Sequence, residues 1–385
     1  MPSYFSFPTR IVWGEGAISK LGEEIRLAGG VHVLLVTDRG VVDAGILDRI
    51  EPLLREAQLR HRVFSEVHSN PIESDVWAGV AAFKDHGADV IVAVGGGAAI
   101  DTARAIRLAV NHPPPLSRYD DATGGDVNVT EALCPMIAIP TTAGTGSEVS
   151  RSAVVLLDDT HRKTVLFSPR LMASCAIVDP VLTEGLPKKP TAWTGMDAFT
   201  HCLEAYVAIG DHPMADALAI EGIRLASRAL PRAYRNGRDL SARADMMAAA
   251  MMGGIALTKG LGVAHAIAHA VGAVADVHHG LVNAIVLPRV CRFNEMQAHP
   301  RFARVAEAMG VESAGRSERE LADAACGRIA QLCRDLDIPE KLSEVGVVPH
   351  MIPSIVEKAM ADASHRKSPR PLEAEDCKRL LVDLI

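Results

Sequence analysis

Short apolar runs alternate with amphipathic stretches through the first half of the chain, and helical periodicity takes over in the second. Ile11-Val-Trp13 ends at Gly14, and an apolar stripe at helical spacing follows from about Ala17 to Ala28. Val31-His-Val-Leu-Leu-Val36 reads as a buried strand, with Asp38-Arg-Gly40 turning the chain off its end. Arg62-Val-Phe64, Val90–Val94 and Met136–Ile139 read as further strands, and a helix around Glu73–His86 stands between two of them. Strands alternating with helices predict a mostly parallel, Rossmann-like sheet with helices on both faces.

Between Ser150 and Phe167 the pattern changes to a hairpin. Val154–Leu157 and Lys163–Phe167 flank the polar turn Asp158-Asp-Thr-His161. The β signal ends after Ile177-Val-Asp179-Pro180, and from about Pro190 nearly every segment reads as helix, rich in Ala, Leu, Met and Arg. The expected organisation is an α/β domain over residues 1–183 and an all-helical domain over residues 184–385. Pro113-Pro-Pro115 and the polar loop through Gly125 are expected to be exposed.

Composition narrows the function classes. A net charge of −7 without a basic block offers no attraction to nucleic acid or anionic lipid, and scarce aromatics give no base-stacking surface. The longest apolar stretch, Met246–Leu257, is too short for a bilayer and contains a glycine pair, so it is expected to be a buried helix. Seven cysteines without a CxxC pair read as reduced thiols. The first residues carry no export signal, so a cytoplasmic protein is expected.

Two loops suit a phosphate-bearing ligand. Val90–Val94 runs into Gly95-Gly-Gly97 and a helix start, where glycines admit a pyrophosphate and the first N–H groups face it. A triple glycine is also a common tight turn, and Ile100 stands where a third fingerprint glycine belongs. Pro140-Thr-Thr-Ala-Gly-Thr-Gly-Ser-Glu148 follows the next strand with four hydroxyls in seven residues, Thr141, Thr142, Thr145 and Ser147, a density that favours a ligand loop.

The stretch from Gly195 to Gly280 holds six of the chain's 15 histidines, and five of them (His201, His265, His269, His278 and His279) fall in its three motif segments. Asp197 and His201 are four apart, as are His265 and His269, so each pair shares a helix face. A lone histidine among alanines is more often a hydrogen-bonded core residue. Five of them with an aspartate in phase favour a centre for a divalent Fe or Zn ion. Spacing does not say which of Asp197, His201, His265, His269, His278 and His279 bind; two pairs would already complete a shell.

Taken together, Gly95-Gly-Gly97 with Asp101, the Pro140–Glu148 loop, Gly195-Met-Asp197-Ala-Phe-Thr-His201 and the His265…His269…His279-Gly280 block resemble the iron-containing (group III) alcohol dehydrogenase family. The likeness spans essentially the whole chain, from Phe7-Pro8 to Pro369-Arg370. It implies the dehydroquinate synthase-like, two-domain fold with a dinucleotide in the cleft and a divalent metal on the helical domain. By position, Asp197, His201, His265 and His279 would hold the metal, Fe2+ by family and Zn2+ by donor chemistry, with His269 near the nicotinamide and substrate, either supporting the ligands from outside or relaying a proton. Asp38 falls where the family places an acid against the ribose hydroxyls, favouring NAD over NADP. Gly96, Gly97, Thr141, Thr142, Thr145 and Lys163 fall on dinucleotide-contacting positions, and Asn70 is a weaker candidate.

Some positions depart from the family pattern. Ala98 replaces a common Ser, while Arg104 for Lys and Ala173 for Pro are expected to matter little. Lys259 and His278 stand where apolar residues or Pro are usual. Lys259 is either a surface lysine or a polar pocket wall, and the latter points to a small polar or acidic alcohol or aldehyde as substrate. A homodimer or higher homo-oligomer is implied by the resemblance. The rival readings are a zinc-dependent glycerol-dehydrogenase-like enzyme and a non-catalytic nucleotide- or metal-sensing protein.

Overall fold

A computed structural model describes residues 9–159 and 162–385. In its first half the strands are β1 (Arg10–Trp13), β2 (His32–Asp38), β3 (Arg60–Val67), β4 (Val90–Gly95), β5 (Met136–Pro140), β6 (Ser152–Leu157), β7 (Arg162–Phe167) and β8 (Cys175–Val178). The helices between them are α1 (Leu21–Leu27), α2 (Arg39–Asp43), α3 (Leu47–Glu56), α4 (Glu73–His86) and α5 (Gly97–Asn111). Among the described residues six strands form one sheet in the order β1-β8-β5-β4-β2-β3, and every pairing in it is parallel. β6 and β7 pair antiparallel with Ser152 opposite Phe167 and Leu157 opposite Arg162. Of the expected hairpin turn, Thr160 and His161 lie outside the described residues, as do Phe7 and Pro8.

Alternation along the central strands sends side chains into two separate cores. Leu34 and Val36 of β2, with Ile91 and Ala93 of β4, pack under α4 and α5. Their neighbours Val33, Leu35, Val90 and Val92 pack under α1 and α3. A parallel sheet covered on both faces needs this near-continuous apolar run, which is why these strands stand out in the sequence.

One helix has no reading in the sequence, and one local expectation changes. Pro52 disguises α3, but Leu47, Ile50 and Leu54 bury one face of that helix, and the burial outweighs the proline. Pro113-Pro-Pro115 and residues 121–124 are exposed as expected, but the stretch between them turns inward. Leu116 and Tyr119, three apart in a 3-10 turn, are both buried in the core beneath α5, and the Tyr119 hydroxyl donates to Pro113 O at 2.9 Å. Polar composition concealed two inward-facing apolar residues.

The second half is helical: α6 (Lys188–Val207), α7 (Pro213–Arg235), α8 (Leu240–Ala256), α9 (Val263–Ala275), α10 (His279–Asn294), α11 (His299–Ala308), α12 (Glu318–Asp335), α13 (Ile352–Ala361) and α14 (Ala374–Val382). Every residue of α6 from Gly195 to Ala205 is buried, so this helix runs through the centre of its unit. The chain separates into two compact units. Of the described residues, one holds 9–142 with Gly146–Gly185; the other holds Leu186–Ile385 with the three loop residues Ala143–Thr145. No helix is long and apolar enough to cross a membrane among the described residues.

Candidate metal centre and nucleotide-binding edge

In the helical unit, three helices each present polar residues at one-turn spacing. Asp197, His201 and Glu204 share a face of α6, His265 and His269 a face of α9, and His279 and Asn283 a face of α10. Close approach at Gly280 makes the meeting feasible. A Cβ there would stand 2.4 Å from Trp193 O and 3.2 Å from Asp197 Cβ, so only glycine lets α10 come near enough for His279 to reach Asp197.

The start of α9 is organised by one carboxylate. Glu204 accepts from Gly262 N at 2.9 Å, from Ala264 N at 2.7 Å and from His265 Nδ1 at 2.7 Å. It satisfies N–H groups the helix leaves open, with the positive end of the dipole facing it. Because a carboxylate only accepts, His265 Nδ1 carries the proton and Nε2 keeps its lone pair for a ligand.

Asp197, His265 and His279 bring one donor atom each within 4.8 Å of one another. Asp197 Oδ1 lies 3.8 Å from His265 Nε2 and 3.5 Å from His279 Nε2. Ligands at about 2.1 Å from a tetrahedral ion stand roughly 3.4 Å apart, so these spans fit one ion. His201 stacks on His265 with ring centroids 4.5 Å apart, and its buried Nδ1, 3.9 Å from Asp197 Oδ2, has no hydrogen-bond partner among the described residues. A buried imidazole nitrogen left without a partner beside three convergent donors fits a cation and little else. Nitrogen and oxygen donors together suit Fe2+ or Zn2+ better than Ca2+ or Mg2+.

The electrostatics agree. Burial alone would raise the Asp197 carboxyl, but His201, His279, His265 and the Asn283 amide outweigh it and hold it at about 2. Burial pulls His201 down to about 4 against the attraction of Asp197, and it pulls His279 far below its ordinary value. Burial also works against charge on His265, yet Glu204 overcomes it and raises that group.

His269 stands outside the trio of donors. Its Nδ1 meets Asp362 Oδ2 at 2.7 Å, and its ring stacks on His279 at 5.1 Å. Burial would raise the Asp362 carboxyl, but the His269 and Ser364 bonds hold it well below the usual range. His278 is not one of the convergent donors; its ring lies 5.1 Å from that of Trp193. Lys259 is neither a surface lysine nor a pocket wall. Its side chain is 2% exposed, paired with Asp216 and donating to Tyr206 O at 3.1 Å, and Arg301 reaches the same carbonyl and carboxylate. Two cations on the last turn of α6 fit its negative dipole end, and the Lys259 charge is consumed there.

In the α/β unit, the C-terminal ends of β2, β4 and β5 lie side by side. Thr141 N donates to Gly95 O at 3.0 Å, and a Cβ on Gly96 would stand 3.2 Å from Thr142 Oγ1. Asp38 caps α2 by accepting from Val41 N at 3.0 Å, and its other oxygen lies toward Gly95. Lys163 Nζ donates to Asn70 Oδ1 at 2.7 Å, joining β7 to the loop that leaves β3. Asp38, Asn70, Gly96, Gly97, Thr141, Thr142 and Lys163 thus belong to one unit, while Thr145 groups with the helical one. The edge where parallel strands end is where such sheets bind nucleotides.

Arg104 is not the neutral replacement the sequence implied. Fully buried, it donates to Asp101 Oδ1 and Ser147 Oγ at 3.1 Å each, to Leu171 O at 3.1 Å, and to the Ser147 and Ser152 carbonyls. It ties α5 to the end of the hydroxyl loop. Sequence reasoning also passed over Glu204, Asn283 and Asp362. Glu204 and Asn283 were within reach of the helical-spacing rule, three after His201 and four after His279. Asp362, 93 residues from His269, carried no such signal.

Comparison with known proteins agrees with this geometry. Residues 8–180 match the model of iron-containing alcohol dehydrogenases, and residues 191–385 match that of the Fe-containing alcohol dehydrogenase family, C-terminal. The chain is 38% identical over 392 residues to 4-hydroxybutyrate dehydrogenase of Cupriavidus necator, covering 98% of this chain and 99% of that one. It is 34% identical to the NAD-dependent methanol dehydrogenase of Bacillus methanolicus, with both chains covered in full. A crystal structure of 1,3-propanediol oxidoreductase superposes with a TM-score of 0.96 at 36% identity, again over 100% of both chains. With both halves matched and the donor trio assembled on α6, α9 and α10, this chain belongs to the iron-containing alcohol dehydrogenase family.

Proposed function

We propose that the protein interconverts a short primary alcohol and its aldehyde, the substrate carrying a second polar group, with NAD(H) as the hydride carrier. The alcohol dehydrogenase class follows from the family. The polar substrate is supported by the names of relatives, a 4-hydroxybutyrate dehydrogenase and 1,3-propanediol dehydrogenases, and no longer by Lys259. The observation that carries the reading is the convergence of Asp197, His265 and His279.

In this reading Asp197, His201, His265 and His279 hold a divalent ion. Such an ion supplies Lewis acidity toward an alcohol or carbonyl oxygen, and the nicotinamide supplies or accepts the hydride. The chain's residues do the rest. Glu204 keeps the His265 lone pair aimed at the centre, and Asp362 keeps the His269 proton on Nδ1, leaving Nε2 to take or return the substrate proton. Asp38, Gly96, Gly97, Thr141, Thr142, Thr145, Lys163 and, less directly, Asn70 are the residues proposed for the dinucleotide. A homo-oligomer in the cytoplasm is the setting we propose.

The test follows the reduced-nicotinamide absorbance band with NAD and 4-hydroxybutyrate, 1,3-propanediol, methanol and butanol, before and after chelation. Turnover strongest with the two bifunctional alcohols, lost on chelation and restored by Fe2+ or Zn2+, is the expected result. Full activity in metal-stripped protein rules the mechanism out, and nucleotide binding without any turnover points to a sensor.

A further inference from the structure

Asn283 lies one helical turn beyond His279 and is completely buried. Its Nδ2 stands 2.8 Å from Asp197 Oδ1, 3.1 Å from His279 Nε2 and 3.2 Å from His265 Nε2, while its Oδ1 has no hydrogen-bond partner among the described residues. This is a poor arrangement for stability alone. Two N–H bonds face three acceptors, and a buried carbonyl oxygen goes without a donor. The contacted atoms are the same three that converge as candidate ligands.

Three lone pairs directed at one point repel, and their side chains would spread if nothing stood among them. Before an ion binds, a neutral N–H donor counters that repulsion without a competing charge, and it gives way when an ion takes the lone pairs. The opposite orientation of the amide would set its oxygen against the same three lone pairs, so the neighbours themselves select the nitrogen. We infer that Asn283 is a positioning residue of the metal centre, whose amide holds Asp197, His265 and His279 at the spans one ion requires. The inference rests on the metal reading above, and it assigns Asn283 no contact with substrate. Partners that orient metal ligands are worth about 10- to 100-fold in metal affinity.

The experiment titrates Co2+ into metal-stripped full-length protein, comparing wild type with N283L, which keeps the volume, and N283A, which keeps the helix. Affinity is read by chelator competition and the ligand field by the visible absorption of the Co2+ ion, with NADH binding and the thermal midpoint as fold controls. Expected are a well-defined Co2+ spectrum in wild type, and in both variants affinity about 10- to 100-fold weaker with a changed band. If one variant fails to fold, the other is read alone. Wild-type affinity and spectrum in the folded variants overturn the role of Asn283. Failure of wild type to take up Co2+ instead overturns the metal reading beneath it.

Discussion

The two regions proposed to bind ligands are built on opposite principles. The strand-end edge of the α/β unit offers backbone groups and short hydroxyls, held in place by the register of β2, β4 and β5 and by the buried Asp101–Arg104–Ser147 network. The helical centre offers long side chains from three helices, aimed by outer partners: Glu204 for His265, Asn283 for the trio, and Asp362 for the neighbouring His269. Many weak contacts should make the first region fail by degrees. The second depends on a few strong ones and should fail at once.

The largest effect therefore belongs to a single proposed ligand. His265→Ala is expected to empty the protein of metal and lower turnover roughly 1,000-fold, about 4 kcal/mol of barrier. NADH affinity, measured by fluorescence, should stay within about threefold of wild type, because the altered side chain lies in the helical unit and the proposed nucleotide contacts lie mainly in the other. Loss of metal and NADH together would break the contrast between the two regions.

What could be read from the sequence follows the same division. Strand alternation and the i, i+4 pairs on α6 and α9 are local patterns, so the sheet, the helical half and the Asp197, His201, His265, His269 set stand out directly. Long-range partnerships do not. Nothing local tells that Lys259 will meet Asp216, that Arg104 will collect the carbonyls of Ser147, Ser152 and Leu171, or that Asp362 will reach His269. Leu116 and Tyr119 show the same limit in the core, since prolines and polar neighbours hide an inward-facing pair. The roles of Asp197, His201, His265 and His279 came from resemblance, because spacing left six candidates open.

The buried network behind the hydroxyl loop gives the next effect. Burial raises the Glu148 carboxyl to about 7, against its own backbone N–H and Arg104. A carboxyl raised on folding binds its proton more tightly in the native state. Its contribution to stability is therefore complete below the unfolded value near 4.5 and is lost as pH rises toward 7. The loss amounts to about 3 kcal/mol, and Glu148→Gln should not show it. Denaturant unfolding of both proteins from pH 4 to 8 measures this, and the gap between their curves should change by that amount between pH 4.5 and 7. Parallel curves would show that Glu148 titrates normally and that the loop is not held by an uncharged carboxyl.

Asp38 supplies the smallest effect and the sharpest separation of scaffold from ligand chemistry. One oxygen caps α2 through Val41 N, and burial raises this carboxyl against the Val41 and Gly40 N–H groups. Asp38→Ala would remove cap and charge together. Asp38→Asn keeps a side-chain oxygen that caps a helix about as well and removes only the charge. A full charge about 4 Å from a 2′-phosphate costs roughly 1 kcal/mol or more in a solvated site. The ratio of kcat/KM for NAD over NADP should therefore fall roughly tenfold in the Asn variant, with the thermal midpoint nearly unchanged. An unchanged ratio would mean that Asp38 serves the helix alone and that cofactor choice lies elsewhere on the edge. A lowered midpoint with an unchanged ratio would add that the cap itself depends on the charge. The predicted pairing, selectivity shifted and stability kept, requires the free Asp38 oxygen to face the ribose.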